Sequence, residues 1–191
     1  MVSQQYQQQL GRQYNMGLAL VVNDSTNAIK LYSDNPQAHL SEAERMNDIV
    51  QGYLTSDKGQ DFSNYVASRG KRFVKINGVG AGDLGENTVA AIIHDGLEGV
   101  ILSNYNGVTF SERVGEMAST YGIGQEAMTE YVITHELAHA AGCKSEAETE
   151  GFVKEYFEQK AFKSQGEDRQ RYVKLAGIAA KREAEARNAG K

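Results

Sequence analysis

The 191-residue chain is short of the residues that usually staple or punctuate a fold: it has one cysteine, Cys143, one proline, Pro36, and no tryptophan. A lone cysteine excludes an internal disulfide, so stability rests on packing, and on a metal where ligands allow. With so little proline, the 20 glycines carry most of the turn information. Histidine is scarce as well, with His39, His94, His135 and His139 the only four. The most apolar run, Gly17 to Val22, is far too short to span a bilayer. Met1 to Asn15 has neither the basic start nor the apolar core of a secretory signal, so a cytoplasmic location with no membrane partner is expected. Charge is not lopsided. A net −5 spread over both signs argues against a dedicated nucleic-acid binder, and 40% apolar residues suit a globular chain.

What is present falls into three stretches. Residues 3–16 are glutamine-rich with helical composition, and 17–22 and 28–32 fit either short strands or helix. After the turn signal Asp34-Asn35-Pro36, the capping box Ser41-Glu42-Ala43-Glu44 predicts a helix to about Leu54, and a second helix is expected over 60–68. The middle changes character. Residues 72–76, 88–93 and 99–103 read as strands, and Asn106-Gly107 as a hairpin into 108–110, which makes 71–110 a small sheet. From Ser111 onward the pattern is helical: 111–121, then 125–141 closed by Gly142, then a helix opened by the capping box Ser145-Glu146-Ala147-Glu148 and running to about Ser164. Beyond Gly166 the residues favour helix but are mostly charged, giving either a docked helix or a tail.

Chemistry concentrates in Thr134-His135-Glu136-Leu137-Ala138-His139, a HExxH motif inside the 125–141 helix. Because a helix repeats every 3.6 residues, His135 and His139 project from one face a turn apart, where two imidazoles bind a single zinc ion. Glu136 lies beside them without ligating, placed to act as general base on a water acidified by the metal. With so few histidines in the chain, a chance HExxH is improbable. The plainer reading, a helix whose histidines and glutamate only bond to their neighbours, is the less favoured one.

Catalytic zinc usually takes a third protein ligand and keeps one position open. Glu146, Glu148 and Glu150 crowd the helix after Gly142. Its apolar residues Phe152, Val153, Tyr156 and Phe157 define the inward face. Projected around the helix, Glu146 lies nearest that face, Glu150 at its margin and Glu148 furthest out. A symmetric helical hairpin would instead set Glu148 or Glu150 opposite the histidines. Glu146 is favoured as ligand, with Glu150 its rival or an outer partner of a histidine.

The run His135-Glu136-Leu137-Ala138-His139, then Gly142, then Glu146-Ala147-Glu148-Thr149-Glu150, resembles the gluzincin clan of zinc metallopeptidases, and most of all its minimal single-domain members, the minigluzincins. The resemblance covers about 71–162. It implies a zincin-like α+β fold, with a small, mostly antiparallel sheet packed on the HExxH helix and a glutamate helix following. It also implies a peptide or protein substrate, Zn2+ as cofactor, and a sheet edge that pairs with substrate. Some minimal gluzincins are latent, blocked by their own terminal segment, a part 166–191 could play; a solvated charged helix is the preferred reading there. Two departures stand out: Glu150 where the clan often has aspartate, and a very short interval from His139 to Glu146. The position of the third ligand in metzincins falls on Ser145, a poor zinc ligand. The expected organisation is a mainly helical segment over 1–70, a catalytic core over 71–165, and a charged helix or tail over 166–191.

Weaker signals point elsewhere. Gly80-Ala81-Gly82-Asp83-Leu84-Gly85 fits a dinucleotide-binding loop, but strand-like residues follow it where a helix is required, so a glycine-rich hairpin loop is favoured. His94, Cys143, Tyr131 and Tyr156 have possible site roles and plainer ones as turn or core residues. Two rivals to a peptidase remain: a zincin-like binding or scaffold protein without turnover, and a nucleotide binder using the 80–85 loop.

Overall fold

The computed structural model describes residues 19–23, 29–32, 36–73, 78–82, 88–93, 99–103 and 108–189. Among them the chain is mainly helical, and it divides into two compact units, 1–56 with 75–113 and 57–74 with 114–191. No helix among the described residues is long and apolar enough to cross a membrane.

The first unit holds the strands. These are β1 (Ala19–Asn23), β2 (Ile29–Tyr32), β3 (Gly78–Gly82), β4 (Ala90–Ile93) and β5 (Gly99–Ser103), in the order β2-β1-β3-β5-β4. Three of the four pairings are antiparallel, while β3 and β5 run parallel, with Gly80 beside Ile101. Helix α1 (Pro36–Thr55) lies against β1 and β3 and buries Met46, Val50 and Tyr53, spaced to form one stripe. It starts at Pro36 rather than at the expected capping box, because a proline at the first helical position gives up an amide that would have no partner anyway. The loop expected at 80–85 begins as strand: Gly80 pairs with Leu20 and Ile101 in mid-sheet. Residues 3–16, Asp83 to Gly85, His94 and Asn106-Gly107 lie outside the described residues.

The second unit carries the HExxH motif, and here the expected fold is corrected. The α+β architecture, with a small antiparallel sheet packed on the HExxH helix, does not form. Between 57–74 and 114–191 the described residues include no strand; the motif helix is buried by other helices. These are α2 (Asp57–Ser68), the greater part of α3 (Phe110–Tyr121), α4 (Gln125–Ala140, with the motif), α5 (Glu146–Lys163) and α6 (Gly166–Ala189). The physical reason is the pattern of α4, where every residue from Tyr131 to Ala138 is buried. A helix covered all round needs neighbours on several sides, and α5 and α6 both pack on it. The segment expected as a charged helix or tail is α6, which buries Tyr172, Leu175, Ala176, Ile178 and Ala179 and packs along α5.

An aromatic cluster ties α2 to α5. Phe62, fully buried, has the rings of Tyr65, Phe73, Phe152 and Tyr156 around it at centroid distances of 4.9–6.3 Å. Tyr156, one of the tyrosines weighed for a site role, is buried here and donates to the Lys58 carbonyl at 3.3 Å.

Candidate metal centre

The site is assembled by the end of α4 and the start of α5. His135 and His139 sit one turn apart on α4, and their Nε2 atoms approach to 3.2 Å. The helix then closes on a Schellman turn. Cys143 N–H donates to the Ala138 carbonyl, Gly142 N–H donates to the His139 carbonyl, and Gly142 takes φ +94°. Ser145 caps α5 by accepting from Glu148 N–H at 3.2 Å, which makes Glu146 the first helical residue. The carboxylate of Glu146 reaches back to both histidines, 3.3 Å from His135 Nε2 and 3.4 Å from His139 Nε2.

His135, His139 and Glu146 form a group of the kind that can hold a metal ion. The two Nε2 atoms stand 3.2 Å apart, and each faces a different Glu146 oxygen, Oε2 at 3.3 Å from His135 and Oε1 at 3.4 Å from His139. Ligands about 2.0–2.1 Å from a tetrahedral ion are about 3.3 Å from one another, close to the spacing of the two imidazole nitrogens and of each from its Glu146 oxygen. Nothing in that spacing selects zinc over another divalent ion.

The ring nitrogens that face away determine whether the Nε2 lone pairs are free. His139 Nδ1 is 3.2 Å from the Cys143 carbonyl, which can only accept, so Nδ1 carries a proton and Nε2 is the nitrogen left for a metal to take. Thr149 Oγ1, also 3.2 Å away, gives its own proton to the Ser145 carbonyl at 2.9 Å and is left to accept from the same Nδ1. His135 Nδ1 is buried 3.2 Å from Glu150 Oε1, although the pair is not aligned as a hydrogen bond. Glu150, 1% exposed, is held by the Tyr131 hydroxyl at 2.5 Å and by Arg182 Nε at 2.7 Å.

Charge follows the geometry. Burial pulls the His135 pKa down, but the carboxylates of Glu146 and Glu150 outweigh it and lift the pKa to about 9. His139 is shifted upward by the same contest between burial and Glu146. Contacts from both imidazoles hold the Glu146 carboxyl well below the usual range. Glu136, 5% exposed, is pushed upward by burial, against the pull of the two histidines.

Of the expected site residues, His135, His139 and Glu146 converge, and Glu136 is buried beside them. Glu150 lies on the far side of His135 rather than among the three donors. Glu148 is turned away: it accepts from Lys144 N–H at 2.9 Å and pairs with Lys71. Cys143 contributes its carbonyl while its thiol stays outside the donor group, and Tyr131 binds Glu150. Sequence reasoning missed Thr149 and Arg182. Thr149 carries a weak signal, since a threonine in the first turns of a helix commonly bonds back to the carbonyl four residues earlier. For Arg182, 32 residues beyond Glu150, no local pattern exists.

No known protein family, no curated protein and no solved structure matches this chain.

Proposed function

We propose that the protein is a zinc-dependent metallopeptidase of gluzincin-like design, with His135, His139 and Glu146 as ligands and Glu136 as general base. What supports the reading is a pair of imidazole nitrogens 3.2 Å apart, each 3.3–3.4 Å from an oxygen of the Glu146 carboxylate, with a buried glutamate at the intervening sequence position. Three protein donors leave a fourth position free, the composition of catalytic rather than structural zinc sites. A zinc ion held there would supply Lewis acidity toward a peptide carbonyl and a water of lowered pKa. Glu136 takes the proton from the attacking water and returns it to the departing amine, and burial shifts its carboxyl upward from the usual carboxylate range. The Cys143 carbonyl keeps the His139 imidazole oriented by a hydrogen bond, and the Glu150 carboxylate places its charge 3.2 Å behind His135.

The test combines elemental analysis of tag-free protein with a peptide-library cleavage assay. About one zinc per chain is expected, lost on His139→Ala, with cleavage abolished in Glu136→Gln while its zinc stays bound. Undiminished turnover by Glu136→Gln would refute the assigned base. Zinc bound with no cleavage of any peptide would move the reading to a zincin-like binding protein.

A further inference from the structure

Arg182 occupies a place where its residue type is unexpected. Along α6 the residues Tyr172, Leu175 and Ala179 recur at spacings of three and four and are buried. Arg182 is the next position of that stripe, where an apolar residue would continue the packing. Its side chain runs instead to Glu150, donating from Nε to Oε1 at 2.7 Å. That same oxygen lies 3.2 Å from His135 Nδ1, a charge contact rather than an aligned hydrogen bond, while the other carboxylate oxygen takes the Tyr131 hydroxyl.

The register of α6 is held by contacts next to this one. Gly151 follows Glu150 on α5, and a Cβ there would stand 3.2 Å from Glu183 Oε1, so the missing side chain lets Glu183 come close. Glu183 is gripped by Lys154 at 2.7 Å and by Arg187 at 2.6 Å. Neither of these contacts touches Glu150 or a histidine.

We propose that Arg182 is a positioning residue for the metal centre: the C-terminal helix α6 completes the site by holding Glu150, which in turn sets the ring of His135. The inference rests on the metal-centre reading above and does not need the peptidase reading. Glu150 is 1% exposed, so no water replaces a lost donor. Without the guanidinium, the carboxylate is held on one oxygen only, by Tyr131, and is free to turn about that bond. His135 then loses the fixed carboxylate charge 3.2 Å from its Nδ1, and the metal-facing Nε2 loses part of its orientation. A terminal helix that merely covered the core would have no such effect on metal.

The experiment measures zinc affinity of the full chain by competition with a chromogenic chelator, and the visible spectrum of the cobalt-substituted protein. In Arg182→Met, which keeps length and packing but no donor, zinc should bind about 10–100-fold more weakly, with an altered cobalt spectrum and unchanged helical circular dichroism. Arg182→Lys should recover part of the loss. Lys154→Met breaks the neighbouring α5–α6 contact without touching Glu150 and should bind zinc like the parent. If Arg182→Met does not fold, Tyr131→Phe removes the other bond to Glu150 from a different helix and should weaken zinc comparably. Parental affinity in whichever of these two variants folds overturns the proposal. Equal weakening by Lys154→Met also overturns it, because helix docking in general would then be the cause. A parent chain that binds neither zinc nor cobalt overturns the metal-centre reading and this inference with it. A parent that binds metal but cleaves no peptide overturns only the peptidase reading.

Discussion

Replacing Gly142 by alanine tests how the end of α4 shapes the site. Gly142 adopts φ +94°, in the left-handed region that disfavours residues with a Cβ. A Cβ built there meets nothing within 4 Å, so the cost is confined to the backbone and no neighbour is displaced. For one residue forced into that region the cost is about 1–2 kcal/mol, which for a chain of this size lowers Tm by about 2–8 °C. Two consequences separate this account from a general loss of stability. Gly142→Asn should cost clearly less than alanine, because asparagine tolerates the left-handed region. Zinc affinity should fall with stability, since the turn places the Cys143 carbonyl 3.2 Å from His139 Nδ1. Thermal unfolding followed by circular dichroism, with chelator competition on the same samples, reads both. A Tm for Gly142→Ala equal to the parent's, or asparagine as costly as alanine, refutes the reasoning.

Three further outcomes are expected. His135 has its pKa raised from 6.5 to about 9 in metal-free protein, so its contribution to stability is complete below 6.5 and is lost as pH rises through 9. Metal-free protein should therefore melt at progressively lower temperature across that window. Apparent zinc affinity should climb about tenfold per pH unit over the same range as the proton is displaced, and a flat affinity profile would contradict it. Thr149→Val keeps the shape of a fully buried side chain but removes the hydroxyl that bridges Ser145 and His139; urea unfolding should show a loss of about 1–3 kcal/mol, and an unchanged midpoint would deny that bridge. Phe62→Ala empties the middle of the α2–α5 aromatic cluster and should cost about 3–5 kcal/mol, while a loss below 1 kcal/mol would show that the cluster does not support the unit.

The legible parts of the molecule are those governed by neighbours along the chain. Glycine at 142 and the box Ser145 to Glu148 set the end of one helix and the start of the next, and both boundaries fall where local rules put them. The helical projection that ranked Glu146 nearest the inward face is corrected: Glu150 is the buried glutamate of α5, whereas Glu146 is more exposed than Glu148 and meets the histidines from the open first turn of the helix. Periodicity was less informative in the first unit. At 17–22 and 28–32 short apolar runs fit helix and strand equally, and pairing between β1 and β2 decides for strand.

The α+β expectation failed for a related reason. The strand-like runs at 88–93 and 99–103 fall on β4 and β5, but Arg72 and Phe73 stand outside any strand, and the motif helix packs on α5 and α6. Sequence by itself determined the two imidazoles on one face of α4 and the turn that follows. Those depend on helical geometry and on conformations of single residues, which act over a few positions. Only the tertiary structure decided that Arg182 of α6 reaches Glu150 behind His135, and that the motif helix packs on α5 and α6. Such contacts join residues far apart in the chain, where distance in sequence carries no information about distance in space.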